Sequence, residues 1–180
     1  AAFSSSRRDI ELSHGEAWFK VAKNKARPFT VAAGKVHVQA VGTEFNVRRY
    51  GAYSEVIVTE GVVKIWSAAA ANGPLMVQAG SRARIGEFGG VEVDELSAAS
   101  MDQQLAWREG RIILDDMALS AAAAEFNRYN KVKLEIDPAL ADQRVVGWFR
   151  FDELDEFANA SATLTGGRVE RGKRIIRIIR

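Results

Sequence analysis

Leu105-Ala106-Trp107-Arg108-Glu109-Gly110-Arg111-Ile112-Ile113-Leu114-Asp115-Asp116 separates two styles of sequence. Before it, the chain is written in short alternating runs broken by glycine, the period-two signature of half-buried strands. After it, strand-sized runs alternate with two helix-sized ones, the signature of an α+β unit. The stretch therefore predicts a mixed β and α+β chain. An all-β sandwich, barrel or solenoid-like part is expected at residues 8–104, and a small two-helix α+β part at 105–180. Leu105–Gly110 reads as the piece that closes the β-rich half, with Gly110 as the turn and Trp107 packing across the boundary. Arg111–Leu114 reads as the first strand of the α+β half.

The 180 residues fit one large domain or two small ones. A hydrophobic content of 47% argues against a disordered chain. No run approaches the roughly 18–20 apolar residues that cross a bilayer, which predicts a soluble chain. Ala1–Ser6 reads as a polar leader outside the fold. The absence of cysteine removes disulfides, thiolate metal sites and cysteine nucleophiles. Residues 105–167 carry 7 basic against 11 acidic side chains, whereas Arg168–Arg180 carries 6 against 1. The second half is therefore acidic up to residue 167 and strongly basic only at the C-terminal end.

In the first part, Ala17, Phe19 and Val21 share one face of a run that begins at Glu16, and Phe29–Val31 resumes it after Pro28. Val36, Val38 and Ala40 alternate next, then Phe45 and Val47, Val56 and Val58, Val63 and Ile65. Asn72-Gly73-Pro74 marks a turn, and Leu75/Val77, Ala83/Ile85 and Val91/Val93 complete eight or nine strands. Trp18 and Trp66 fall opposite the small apolar residues and are expected to pack. His37 sits on a polar strand face and reads as a solvated residue. Glu44, Glu55 and Glu60 are the carboxylates available for acid–base work, but their spacing fixes no pairing. With no phosphate loop or nucleophile elbow present, no catalytic residue, cofactor or metal site is expected.

In the second part, Leu119, Ala122, Ala123, Phe126 and Tyr129 form one helical stripe, preceded by Asp115 and Asp116, either of which can cap it. Val132–Ile136 reads as a strand. Arg144–Phe151 alternates, with Val145, Gly147, Phe149 and Phe151 on one face and Val146 and Trp148 on the other. A second helix is expected with Asp152 as its cap and Leu154, Phe157, Ala158, Ser161 and Leu164 inside. Val169 and Ile175–Ile179 finish the chain as a hairpin. The two helices are expected on one small sheet. Asp115-Asp116 does not read as a catalytic dyad, because neighbours on an extended chain point apart. Arg174-Ile175-Ile176-Arg177-Ile178-Ile179-Arg180 reads as an edge or near-edge strand whose arginines discourage aggregation. A nucleic-acid-binding module using that basic tail is one alternative reading. A carbohydrate-binding β domain using Trp18 or Trp66 is another.

Several elements resemble a known family. His14-Gly15-Glu16-Ala17-Trp18-Phe19-Lys20-Val21, Arg27-Pro28-Phe29-Thr30-Val31, Val41-Gly42-Thr43-Glu44-Phe45-Asn46-Val47-Arg48, Thr59-Glu60-Gly61 and Gln78-Ala79-Gly80 are similar, in order, to the FecR-type domain of transmembrane anti-sigma regulators. Ala106-Trp107-Arg108-Glu109-Gly110, Asn127-Arg128-Tyr129-Asn130 and Asp137-Pro138-Ala139-Leu140 extend that likeness. The part they lie in resembles the short N-terminal domain shared by secretins and TonB-dependent receptors. The resemblance implies a non-enzymatic, periplasmic region of a single-pass inner-membrane regulator of cell-surface signalling. Its partner would be the N-terminal signalling domain of a TonB-dependent outer-membrane transducer, typically a ferric-siderophore receptor in iron transport. The output would be an extracytoplasmic-function sigma factor, bound through a cytoplasmic segment. A sheet edge accepting a partner strand is the expected docking mode. The expected contacts are Val145, Trp148 and Phe149, or Ile175 and Ile178.

Overall fold

Short runs in which every second residue is apolar bury one face and leave the other wet. Phe29–Ala33 and Val36–Ala40 follow that rule strictly, with three buried residues each at alternate positions. The computed structural model describes residues 2–3, 7–69 and 73–180. The chain divides into two compact units, Ala1–Met101 and Asp102–Arg180.

The first unit holds two sheets. One has the order β1 (Ala2–Phe3), β2 (Arg8–Glu11), β4 (Phe29–Ala33), β5 (Val36–Ala40), β8 (Val62–Ser67) and β9 (Leu75–Gln78). The other has the order β11 (Val91–Glu95), β10 (Ser81–Gly86), β7 (Tyr53–Glu60), β6 (Glu44–Tyr50) and β3 (Gly15–Lys20). Both sheets are open, so of the three expected architectures the closed barrel is excluded. Val31, Val38 and Ile65 from one sheet and Phe45, Val58 and Ile85 from the other belong to a single core. Phe45 is fully buried and lies 5.3 Å from the Phe19 ring.

Strands β1 and β2 carry no alternation that announces them. Asn72 and most of the leader expected at 1–6 lie outside the described residues, but Ala2–Phe3 pairs with β2. β2 lies parallel to β4, with Ile10 opposite Val31. It is fastened by main-chain bonds and by Arg8, whose Nε donates to the Arg27 carbonyl at 3.0 Å. One isoleucine among Arg, Asp and Glu gives no sequence pattern to find.

The second unit begins inside the helix α1 (Ala98–Leu105). Leu105–Gly110 therefore belongs to this unit instead of closing the first. A 3-10 turn at Ala106–Glu109 packs against β12 (Arg111–Ala118) and ends at Gly110, whose φ of 75° is left-handed. The Gly110 carbonyl accepts the Phe151 amide at 3.0 Å, which ties the turn to the end of the neighbouring strand in the sheet.

The unit has two sheets, not one. β12 pairs antiparallel with β14 (Arg144–Arg150). β13 (Lys133–Ile136) lies parallel to β16 (Ile175–Ile179), which pairs antiparallel with β15 (Arg168–Arg171). Helices α2 (Leu119–Tyr129) and α3 (Leu154–Thr165) share one core with both sheets. Phe126 sits at its centre, stacked on Phe157 at 4.3 Å and edge-on to Phe149 at 6.0 Å. Ala162 is buried where Leu164 was expected, and Leu164 is 66% exposed. Counted from Leu154 at about 100° per residue, positions 162 and 164 lie equally far to either side, so the helical period alone does not choose between them.

Neither aspartate cap forms. Asp115 and Asp116 lie where the β12–β14 register shifts between Leu114 and Met117, and α2 starts after Ala118 without a side-chain cap. Asp116 is the one non-glycine residue with positive φ, 46°, among the described residues. Aspartate tolerates that region and β-branched residues do not. Asp116→Val is expected to cost about 1–2 kcal/mol, and Asp116→Asn close to nothing, in chemical denaturation. Asp152 likewise leaves α3 uncapped and bonds Arg150 Nε at 3.1 Å, and that guanidinium holds its carboxyl below the usual carboxylate range.

Candidate interaction surface

The groups that invited a chemical reading are bound into structure. Glu55 is buried and accepts from Arg84 Nε at 3.0 Å, with Arg82 Nε 3.9 Å away. The Glu55 hydrogen bond raises the Arg84 pKa, and the Arg82 bond to Asp94 at 2.6 Å lowers that of Asp94. Glu44 pairs with Lys20. His37 stacks on Trp66 across the β5–β8 pair, 5.2 Å apart and 12° from parallel. Trp18 and Trp66 are both half-buried. Among the described residues no cluster of three His, Cys, Asp or Glu side chains is arranged to hold a metal ion. No described helix is long and apolar enough to cross a membrane.

What remains is surface, and in the second unit the informative surface is its strand edges. An edge strand exposes unpaired main-chain groups, ready to bind another strand unless something covers them. β16 is the central strand of its sheet, so the expected edge position of the arginine-rich tail is overturned. Ile176 and Ile178 are buried beneath it, and Arg177 pairs with Glu135 at 2.8 Å. Parallel pairing with a strand some forty residues earlier is invisible in the local pattern.

β13 is an edge by topology but a closed one. The Asn127 side-chain amide donates to the Leu134 carbonyl at 2.9 Å and accepts the Leu134 amide at 2.7 Å. One side chain thus fills both hydrogen-bonding places that Leu134 would offer a neighbouring strand, in an edge only four residues long. Asn130 does a related task, donating to the Phe151 carbonyl at 2.8 Å while Tyr129 stacks on the Phe151 ring. The Asn127-Arg128-Tyr129-Asn130 element is accordingly a clasp for α2, β13 and the end of β14. Asn127→Ala would leave two main-chain groups of the buried Leu134 without partners. It is expected to cost about 1–3 kcal/mol and to speed exchange of the Leu134 amide.

β12 is guarded too. Gln103 Nε2 of α1 donates to the outward Ile113 carbonyl at 3.3 Å. β15 offers only Arg-Val-Glu-Arg, in which all three charged residues are exposed, a blunt edge for strand pairing. β14 differs. The Phe151–Gly110 bond and the Leu119–Gln143 bond fix which pairs are hydrogen-bonded, and they thereby set the antiparallel alternation. Val145, Gly147 and Phe149 turn their main-chain groups toward β12. Arg144, Val146, Trp148 and Arg150 turn theirs outward. The Arg150 amide is taken by Glu153 Oε2 at 2.8 Å.

The expected contact residues divide along the same line. Trp148 is 64% exposed, beside Val146 at 73%. Val145 and Ile178 are core residues with 3% and 0% exposure, Phe149 packs on Phe126 and Phe157, and Ile175 is half-buried. Val145, Phe149 and Ile178 face the helices and cannot reach a partner on the intact fold. Val146 was not among the expected contacts, although the alternation that exposes Trp148 exposes it equally. Trp107 is half-buried in the 3-10 turn.

Comparison with known proteins bears on the family. Residues 1–64 match the model of a family described as FecR protein. The fold is similar to that of a candidate anti-sigma factor from Parabacteroides distasonis ATCC 8503, solved at 1.65 Å. The TM-score is 0.77 at 22% identity, over 99% of this chain and 83% of that one. A second structure of such a factor from the same organism, at 2.50 Å, gives a TM-score of 0.76 at 22% identity with the same coverage. No curated protein matches the chain.

Proposed function

With residues 1–64 carrying the FecR family's sequence pattern, we propose that the chain is the signal-receiving region of a FecR-family anti-sigma regulator. In this reading it lies in the periplasm as part of an inner-membrane protein. It binds the N-terminal signalling domain of a TonB-dependent outer-membrane transducer that serves ferric-siderophore uptake. Occupancy is passed inward to an extracytoplasmic-function sigma factor held by the regulator's cytoplasmic segment. The family match carries the proposal. The likeness of fold to a candidate anti-sigma factor over nearly the whole chain supports it.

The geometry agrees with a receiver. Its charged clusters are mutually neutralised, as with Glu55 between Arg82 and Arg84, while aromatic surface is left exposed on a strand edge. The test is direct binding of the purified chain to a panel of transducer signalling domains, read by calorimetry. Saturable one-to-one binding to at least one of them is expected. Failure to bind any domain encoded beside a FecR-type regulator would sink the proposal.

A further inference from the structure

We propose that the outward edge of β14 is the strand-accepting site of the second unit. Its occupant is an extended segment of another protein in which two aliphatic residues at alternate positions are flanked at both ends by carboxylates. This rests on the reading of the chain as a receiver of a protein signal, and it specifies where the partner lies and what it is made of.

The site emerges by elimination within the second unit. β16 is interior, β13 is obstructed at Leu134 by Asn127, β12 is obstructed at the Ile113 carbonyl by Gln103, and β15 is charged throughout apart from Val169. On β14, Val146 and Trp148 point both their main-chain groups and their side chains away from the rest of the unit. An incoming strand gains main-chain bonds to those two residues, and its own apolar side chains lie against an exposed valine and an exposed tryptophan. Ile113, directly across the ladder from Trp148 and half-buried, widens the apolar platform. The Glu153 bond to the Arg150 amide ends the accessible edge at one side and so fixes the register.

Charge selects the occupant. Arg144 and Arg150 bound the Val146–Trp148 pair, both are exposed, and both lie on the same face as that pair. A second copy of the chain could pair β14 with β14 about Gly147, setting Val146 opposite Trp148. That same two-fold would set Arg144 opposite Arg150 twice, and like charges directly across a ladder repel. A strand with Asp or Glu at those two positions avoids that repulsion and meets two exposed guanidiniums, Arg150 already bonded to Asp152 at 3.1 Å and Arg144 to the Asp116 carbonyl at 2.7 Å.

The test uses the whole chain, three probes and two variants. The probes are the transducer signalling domains and two peptides, one of pattern Asp-Thr-Val-Thr-Ile-Thr-Asp and one with Lys in place of both Asp, each extended by Thr-Ser at either end. Val146→Pro removes an outward donor without touching the β12 ladder, and Trp148→Glu removes the aromatic. Circular dichroism and the thermal midpoint verify folding of both. Calorimetry reports binding, and the change in tryptophan fluorescence on binding is expected to disappear in Trp148→Glu. Expected results are preference for the acidic peptide over the lysine one by about tenfold, and loss of at least about tenfold for peptide and domain alike in each folded variant. If a signalling domain binds wild type and both variants equally, the β14 site is overturned while the functional reading stands. If no domain binds but the acidic peptide does, sensitively to both variants, the site stands and the functional reading falls. If no domain and no peptide binds, both fall. Equal affinity for the two peptides, or self-association of the chain abolished by the variants, overturns the assigned occupant.

Discussion

Phe126→Ala is expected to remove about 3–5 kcal/mol from the second unit, the cost of taking a fully buried aromatic ring out of a packed core. The ring touches one face of the Phe157 ring and one edge of the Phe149 ring, so its loss also dissolves two aromatic contacts at once. Collapse into the space is limited, because α2 is already brought close by Ala122 and Ala123. Native-state hydrogen exchange gives the cleanest measurement in a chain of two units, where a single unfolding free energy is not defined. Slow amides of Leu114, Leu134 and Ile178 should accelerate by two to three orders of magnitude or more, at roughly 1.4 kcal/mol per decade. Amides of Val38 and Val58 in the first unit should serve as the unaffected reference. An unchanged pattern around Ile178 would mean that the two sheets of the second unit do not share one core.

Gly42→Ala is the second large effect, and it acts on the first unit. Gly42 has φ 76°, and a Cβ there would lie 2.7 Å from the Lys23 Cβ and 2.9 Å from the Lys23 Cα. The substitution thus combines a left-handed backbone, about 1–2 kcal/mol for an L-residue, with a collision that forces main chain to move, about 1–3 kcal/mol. A total near 2–5 kcal/mol is expected. Gly51 makes the control, with φ 61° and nothing within 4 Å of the added atom, so Gly51→Ala should show the backbone cost alone. The difference between the two, read from exchange of the Phe45 and Val47 amides, isolates the close approach. Equal effects would show that Lys23 yields freely and that the glycine of the Gly42-Thr43-Glu44-Phe45 element is there only for its turn.

How much of this could be read beforehand depends on the range of the interaction concerned. Strands such as β4 and β5 are legible because burial of one face writes itself into every second residue. β2 is not, since main-chain pairing and the Arg8 bond to a distant carbonyl leave no periodic trace. The aspartates before α2 and α3 look like caps because Asp before an apolar stripe usually is one. At Asp116 the bulge used the residue's tolerance of positive φ instead. The candidate surface was half legible. Alternation along Arg144–Arg150 correctly separates Trp148 from Val145 and Phe149, but it does not say which face the helices cover. That information lies in the apolar stripe of α2, whose Phe126 needs partners such as Phe149. Ile178 looked like an edge residue for a comparable reason. Its strand has neighbours on both sides, and one of them comes from far away in the chain.

The Asn127 amide, seated on Leu134 where another strand would pair, has a consequence for valency. Were β13 as open as β14, the second unit would present two complementary sides, and copies or partners could be threaded into an unending ribbon. With the Asn127 side chain obstructing β13, an assembly built through the proposed β14 edge would stop at a single guest.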